Sequence, residues 1–76
     1  MEAATIVLRG TMIESVEANC RILEADHSGD TYQLVGLPDE LADPGTRVEV
    51  RGHVAHDMVS FCMQGTIFKV SSAHRI

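Results

Sequence analysis

Apolar and polar residues alternate most regularly over Arg47-Val48-Glu49-Val50-Arg51-Gly52-His53-Val54, where Val48, Val50 and Val54 share a parity with Gly52 and charged residues hold the other. Successive side chains of an extended strand point to opposite faces, so this pattern predicts a strand with one buried face. Thr5 to Glu14 is rich in β-branched and other apolar residues and contains Gly10, which suits a long strand bent at a bulge or a close backbone approach. A polar connection then leads to Cys20 to Ala25, a second strand, and Thr31 to Val35 returns as a third. The turn cluster Asp26-His27-Ser28-Gly29-Asp30 joins these two as a hairpin, with Tyr32 and Leu34 on one face. Ala55-His56-Asp57-Met58 turns the chain into a last strand, Val59 to Ser71, interrupted by Gly65 and directing Phe68 and Val70 to the core. Ser72 to Ile76 reads as a frayed tail.

Gly36 to Gly45 has a different character. Pro38 can open one helical turn, Asp39 and Glu40 follow near its N-terminus, and Pro44-Gly45 stops it. The whole reads as an all-β, five-stranded OB-type Greek-key barrel with one short helical turn between strands three and four, plugging one end. An SH3-like barrel is the second architecture compatible with five strands and a helical turn, although its longest loop usually falls earlier. A chain of 76 residues supports one core, so residues 1–76 form a single domain.

Composition narrows the function. With 45% hydrophobic and 22% charged residues the chain lies in the ordinary globular range. Eleven acidic against six basic residues give a net charge of −5, opposite in sign to the footprint of a phosphate-tracking protein. No apolar run approaches the roughly 20 residues that span a bilayer as a helix. Met1 to Leu8 lack a basic n-region and a long apolar h-region, so a cytoplasmic protein is expected, or a secreted one if a leader has been removed.

Arg9-Gly10-Thr11, Cys20, Tyr32-Gln33-Leu34, Pro44-Gly45-Thr46-Arg47-Val48, Arg51-Gly52 and Cys62-Met63-Gln64-Gly65 together carry a resemblance. Over nearly its whole length the chain resembles the small stand-alone bacterial OB-fold proteins, an uncharacterised family. The resemblance implies a compact binding or interaction module without a recognised reaction, and implies that Cys20 and Cys62 belong together. The basic, aromatic sheet surface of the nucleic-acid-binding branches of the fold is missing from the sequence.

In the OB arrangement the connections carrying Cys20 and Cys62 lie at the same end of the barrel, so a disulfide is feasible. It would close about 43 residues and stabilise by roughly 4 kcal/mol on the entropic model. Two reduced, buried thiols are the alternative, and redox or metal chemistry a third. His53, His56, Asp57 and Cys62 offer metal-ligand atoms, but a spacing of three on a strand makes His53 and His56 diverge, so no metal and no cofactor is expected. Ser60 and Cys62 have histidines nearby in sequence, yet no nucleophile sits in a strand-to-helix turn and no glycine-rich phosphate loop exists, so an enzyme is not expected. Single-stranded nucleic acid would have to use Phe61 for stacking and Arg9, Arg21, Arg47, Arg51 and Lys69 for phosphates, with Glu49 between Arg47 and Arg51 on their outward face. What remains is Met58-Val59-Ser60-Phe61-Cys62-Met63, apolar on both parities. Met58, Phe61 and Met63 are the candidate binding rim, for a protein partner or a second copy of the chain, unless Val16 and Ala18 of the first connection cover them.

Overall fold

A computed structural model of the chain describes residues 5–15, 20–55 and 65–76. Its elements are β1 (Ile6–Ile13), β2 (Ile22–Ala25), β3 (Thr31–Val35), a 3-10 turn over Asp39–Leu41, β4 (Arg47–Val54) and β5 (Thr66–Arg75). The strands close into a barrel in the order β1-β2-β3-β5-β4, and β4 returns to pair with β1. All neighbours are antiparallel except β3 and β5, which run parallel. This is the OB-type barrel that the strand count and the position of the helical turn imply.

The interior follows from strand parity. Val48 and Val50 of β4, Met12 of β1, Leu23 of β2, Leu34 of β3 and Phe68 of β5 meet in one cluster, with Tyr32, Val54 and Val70 packed against it. Tyr32 and Phe68 make an edge-to-face ring contact at 6.1 Å between centroids. Leu37 and Leu41, from the stretch around the 3-10 turn, join the same cluster and stopper the barrel. Pro38 precedes this turn and Asp39 and Glu40 occupy it, as the sequence suggests.

Two glycines let the strands cross closely. A Cβ on Gly10 would stand 2.1 Å from the Glu24 carbonyl oxygen, and one on Gly52 would stand 1.8 Å from that of Lys69. At Gly52 the β4–β5 register also shifts: Arg51 opposes Ser72 while Gly52 opposes Val70, so Ser71 has no opposite number. Such a bulge sharpens strand twist, which a five-stranded closure requires.

The last residues are a correction to the sequence reading. Ser72 to Ile76 is no frayed tail: β5 runs to Arg75, pairing Ser72, Ala73, His74 and Arg75 with Arg51, Val50, Glu49 and Val48, and the Ile76 amide donates to the Arg47 carbonyl at 3.0 Å. The polar tail lacks hydrophobic alternation, but without it the first half of β4 would present unpaired backbone groups. The second strand is also shorter than expected, beginning at Ile22, with Cys20 just before it. The predicted start of the last strand, residues 59–64, lies outside the described residues.

Candidate functional site

The outer surface of the barrel divides into two chemically different walls. On the first, Ile13, Ile22, Gln33 and Ile67 form a cross-strand row over β1, β2, β3 and β5, because Ile13 opposes Ile22, Ile22 opposes Gln33 and Gln33 opposes Ile67. Their parity is opposite to that of Met12, Leu23, Leu34 and Phe68, so they point away from the interior. Ile22 and Ile67 are nevertheless buried. The sequence signal is the adjacent apolar pairs Ile22-Leu23 and Ile67-Phe68, which break strict alternation and mark strand segments covered on both faces. Ala55 lies beside this wall, its amide donating to the Ile67 carbonyl at 2.9 Å.

The second wall is the outer face of β1, β4 and β5. One row runs Arg9–Glu49–His74, the next Val7–Arg51–Ser72, and a further pair is His53 with Lys69. Arg47 and Thr11 lie at the other end of the face, where Arg47 forks onto Asp26 through two bonds of 2.6 and 2.7 Å and also donates to Thr11. This fork holds the Asp26 carboxyl below its usual pKa, with charge attraction to Arg47, His27 and Arg9 adding to the effect, and raises that of Arg47.

Glu49 organises the middle of the wall. Although it belongs to the charged parity of β4, its side chain is only 7% exposed, whereas Arg9 above it is 63% exposed. Arg9 Nε donates to Glu49 Oε2 at 2.6 Å, and Arg51 Nη2 and His74 Nε2 stand 3.7 and 3.6 Å from Oε1. The bond from Arg9 lowers the Glu49 pKa, with charge attraction from Arg9, His74 and Arg51 in support and desolvation opposing. The sequence reading places Glu49 among the outward charges; its burial depends on Arg9 from β1 and His74 from β5, which only the barrel brings alongside.

The sequence-selected residues separate into those the structure describes and those it does not. Met58, Phe61 and Met63 of the rim, with His56, Asp57, Ser60 and Cys62, lie outside the described residues, as do Val16 and Ala18. Cys20 is half-buried just ahead of β2. His53 is half-buried opposite Lys69, His74 opposes Glu49, and His27 is exposed in the β2–β3 turn. Arg21 pairs with Asp39 on a different part of the surface from Arg9, Arg47, Arg51 and Lys69. Among the described residues, no three metal-ligating side chains converge, and no helix is long and apolar enough to cross a membrane. No family model, no curated protein and no solved structure matches the chain.

Proposed function

We propose that the protein is a non-enzymatic interaction module of the small stand-alone OB-fold type, and that the β4–β5 connection bearing Met58, Phe61 and Met63 contacts a protein partner or a second copy of the chain. The reading is carried by the doubly buried wall. Ile22 and Ile67 are withdrawn from water on the outside of a barrel whose interior is already filled by Met12, Leu23, Val50 and Phe68. The connection departs at Ala55 and returns at Gly65, both next to this wall: Ala55 bonds to Ile67, and Gly65 stands against the Thr31 backbone. The two ends of that connection therefore adjoin apolar ground, and Met and Phe are residue types that serve association.

A second reading concerns the thiols. A Cys20–Cys62 disulfide would tie the β4–β5 connection to the start of β2 and reduce the conformational freedom of the rim. Cys20 is half-buried at the start of that wall, and no described cysteine is a free thiol. In this reading the bond is structural, with intact mass before and after reductant as its test: a mass unchanged by reduction and immediate alkylation of both thiols in native protein would remove it.

For the rim, sedimentation over a wide concentration range combined with peroxide oxidation is the informative pair. Met12 is 1% exposed and provides an internal reference for a buried thioether. Rapid oxidation of Met58 and Met63 relative to Met12, with association weakened by Phe61→Ser, is the expected result. A strict monomer whose Met58 and Met63 oxidise as slowly as Met12 would overturn the proposal.

A further inference from the structure

The outer wall of β1, β4 and β5 carries a charge that is the reverse of the protein's. Arg9, Arg47, Arg51 and Lys69, four of the chain's six lysines and arginines, stand on this wall. Against Glu49, Asp26 and Glu24, which opposes Thr11, they leave a local charge of +1, so the rest of a chain of net charge −5 carries −6. The vertical arrangement strengthens this segregation: the Glu49 carboxylate is sunk at 7% exposure, while Arg9, Arg51 and His74 stand above it at 63, 56 and 59%. An approaching molecule meets the cations first.

We propose that this wall docks an extended, acidic polypeptide segment. Outward side chains along one strand recur about every 7 Å and neighbouring strands lie about 4.8 Å apart, so an extended peptide laid on the wall turns alternate side chains toward it, and carboxylates among them can reach Arg51 on β4 and Lys69 on β5. Arg51 and Lys69 contact the segment directly. Glu49 is a positioning residue, holding Arg9 by its Nε and fixing the guanidinium above the sheet. Val7, 45% exposed and opposite Arg51, provides an apolar footing within the charged surface. Because the barrel is closed, recognition runs through side chains and not through addition of a strand. Polypeptide is favoured over nucleic acid because the aromatic rings among the described residues, Tyr32 and Phe68, are turned into the core, and a long polyanion would run onto the acidic remainder of the surface.

The test is a fluorescence-anisotropy titration with a labelled peptide of alternating glutamate and serine, about 12 residues long, at about 20 mM and about 150 mM salt. Saturable binding that weakens with salt is expected, and Arg51→Glu with Lys69→Glu should weaken it about tenfold. Arg21→Glu with Arg75→Glu makes the same change in net charge away from the wall and should leave affinity within about twofold. Thermal melts establish that both double variants remain folded. Absence of saturable binding at low salt, or an equal loss in both double variants, would overturn the proposal. So would tighter binding of a single-stranded oligonucleotide of equal charge, or self-association that the Arg51 and Lys69 reversal abolishes, since the occupant would then be a nucleic acid or a second copy.

Discussion

Replacing Gly52 by alanine puts a methyl group where β4 and β5 cross. The new Cβ would lie 1.8 Å from the Lys69 carbonyl oxygen, 2.8 Å from its carbon and 3.1 Å from Phe68 Cε1. Real Cβ contacts do not fall below 3.0 Å, so the two strands must part by about 1.2 Å. That is a quarter of the ordinary spacing of about 4.8 Å between strands, enough to carry adjacent hydrogen bonds beyond their working range. Overpacking costs about 1–3 kcal/mol and each backbone bond lost about 0.5–1.5 kcal/mol, so Gly52→Ala should destabilise by about 3 kcal/mol. A domain of this size has about 4–11 kcal/mol in all, and the midpoint of melting should fall by about 12–24 °C. Urea denaturation followed by circular dichroism measures this, with Gly29→Ala as the comparison. Gly29 has φ +71° but nothing within 4 Å of a new Cβ, so it should cost only about 1–2 kcal/mol, from the left-handed backbone alone. If Gly52→Ala proves no more costly than Gly29→Ala, the close crossing does not hold the barrel and the reasoning fails.

Further predictions follow from the core, the buried carboxylate and the C-terminal strand. Phe68→Ala removes a fully buried ring and its edge contact with Tyr32 and should cost about 3–5 kcal/mol in urea denaturation; a loss under about 1 kcal/mol would mean the ring does not fill the interior. The Glu49 pKa is depressed on folding from its ordinary 4.5, so the unfolded chain binds more protons in acid. Its contribution to stability is therefore present above about pH 4.5 and lost as pH falls through the folded pKa. Glu49→Gln should accordingly flatten the acid limb of the urea midpoint against pH, and a limb of unchanged slope would show the carboxylate to be unpaired in solution. Hydrogen exchange should find the Ile76 amide protected, because it bonds to Arg47, and removal of residues 72–76 should abolish cooperative unfolding. Rapid exchange at Ile76 with unchanged stability of the shortened chain would return the tail to the frayed state that its composition suggests.

Much of the barrel is legible in the sequence because its information is local. The Val48–Val50–Val54 alternation gives β4 its bounds and its inner face, Thr31 to Val35 is β3 as read, and Pro38 and Pro44-Gly45 bracket the 3-10 turn. Each of these rests on residues within a few positions of one another. Gly10 is legible as a close approach, whereas Gly52 reads only as a member of the buried parity. Its partner across the contact, Lys69, is 17 residues away, and its significance lies in a register shift absent from either strand alone.

The tertiary structure decided what depends on neighbours brought together by closure. Ser72 to Arg75 are strand because β4 needs a partner, not because their own residues favour extension. Glu49 is buried because β1 and β5 bring Arg9 and His74 over it, and the acidic chain acquires a basic wall because outward positions on three strands share one surface. Ile22 and Ile67 become one apolar row only through Gln33 between them. By itself the sequence determined which segments extend and which side of each seeks the interior, since burial of alternate side chains is a property of one strand. The assignment of outward side chains to surfaces belongs to the closed barrel, since it depends on which strands become neighbours and in which register.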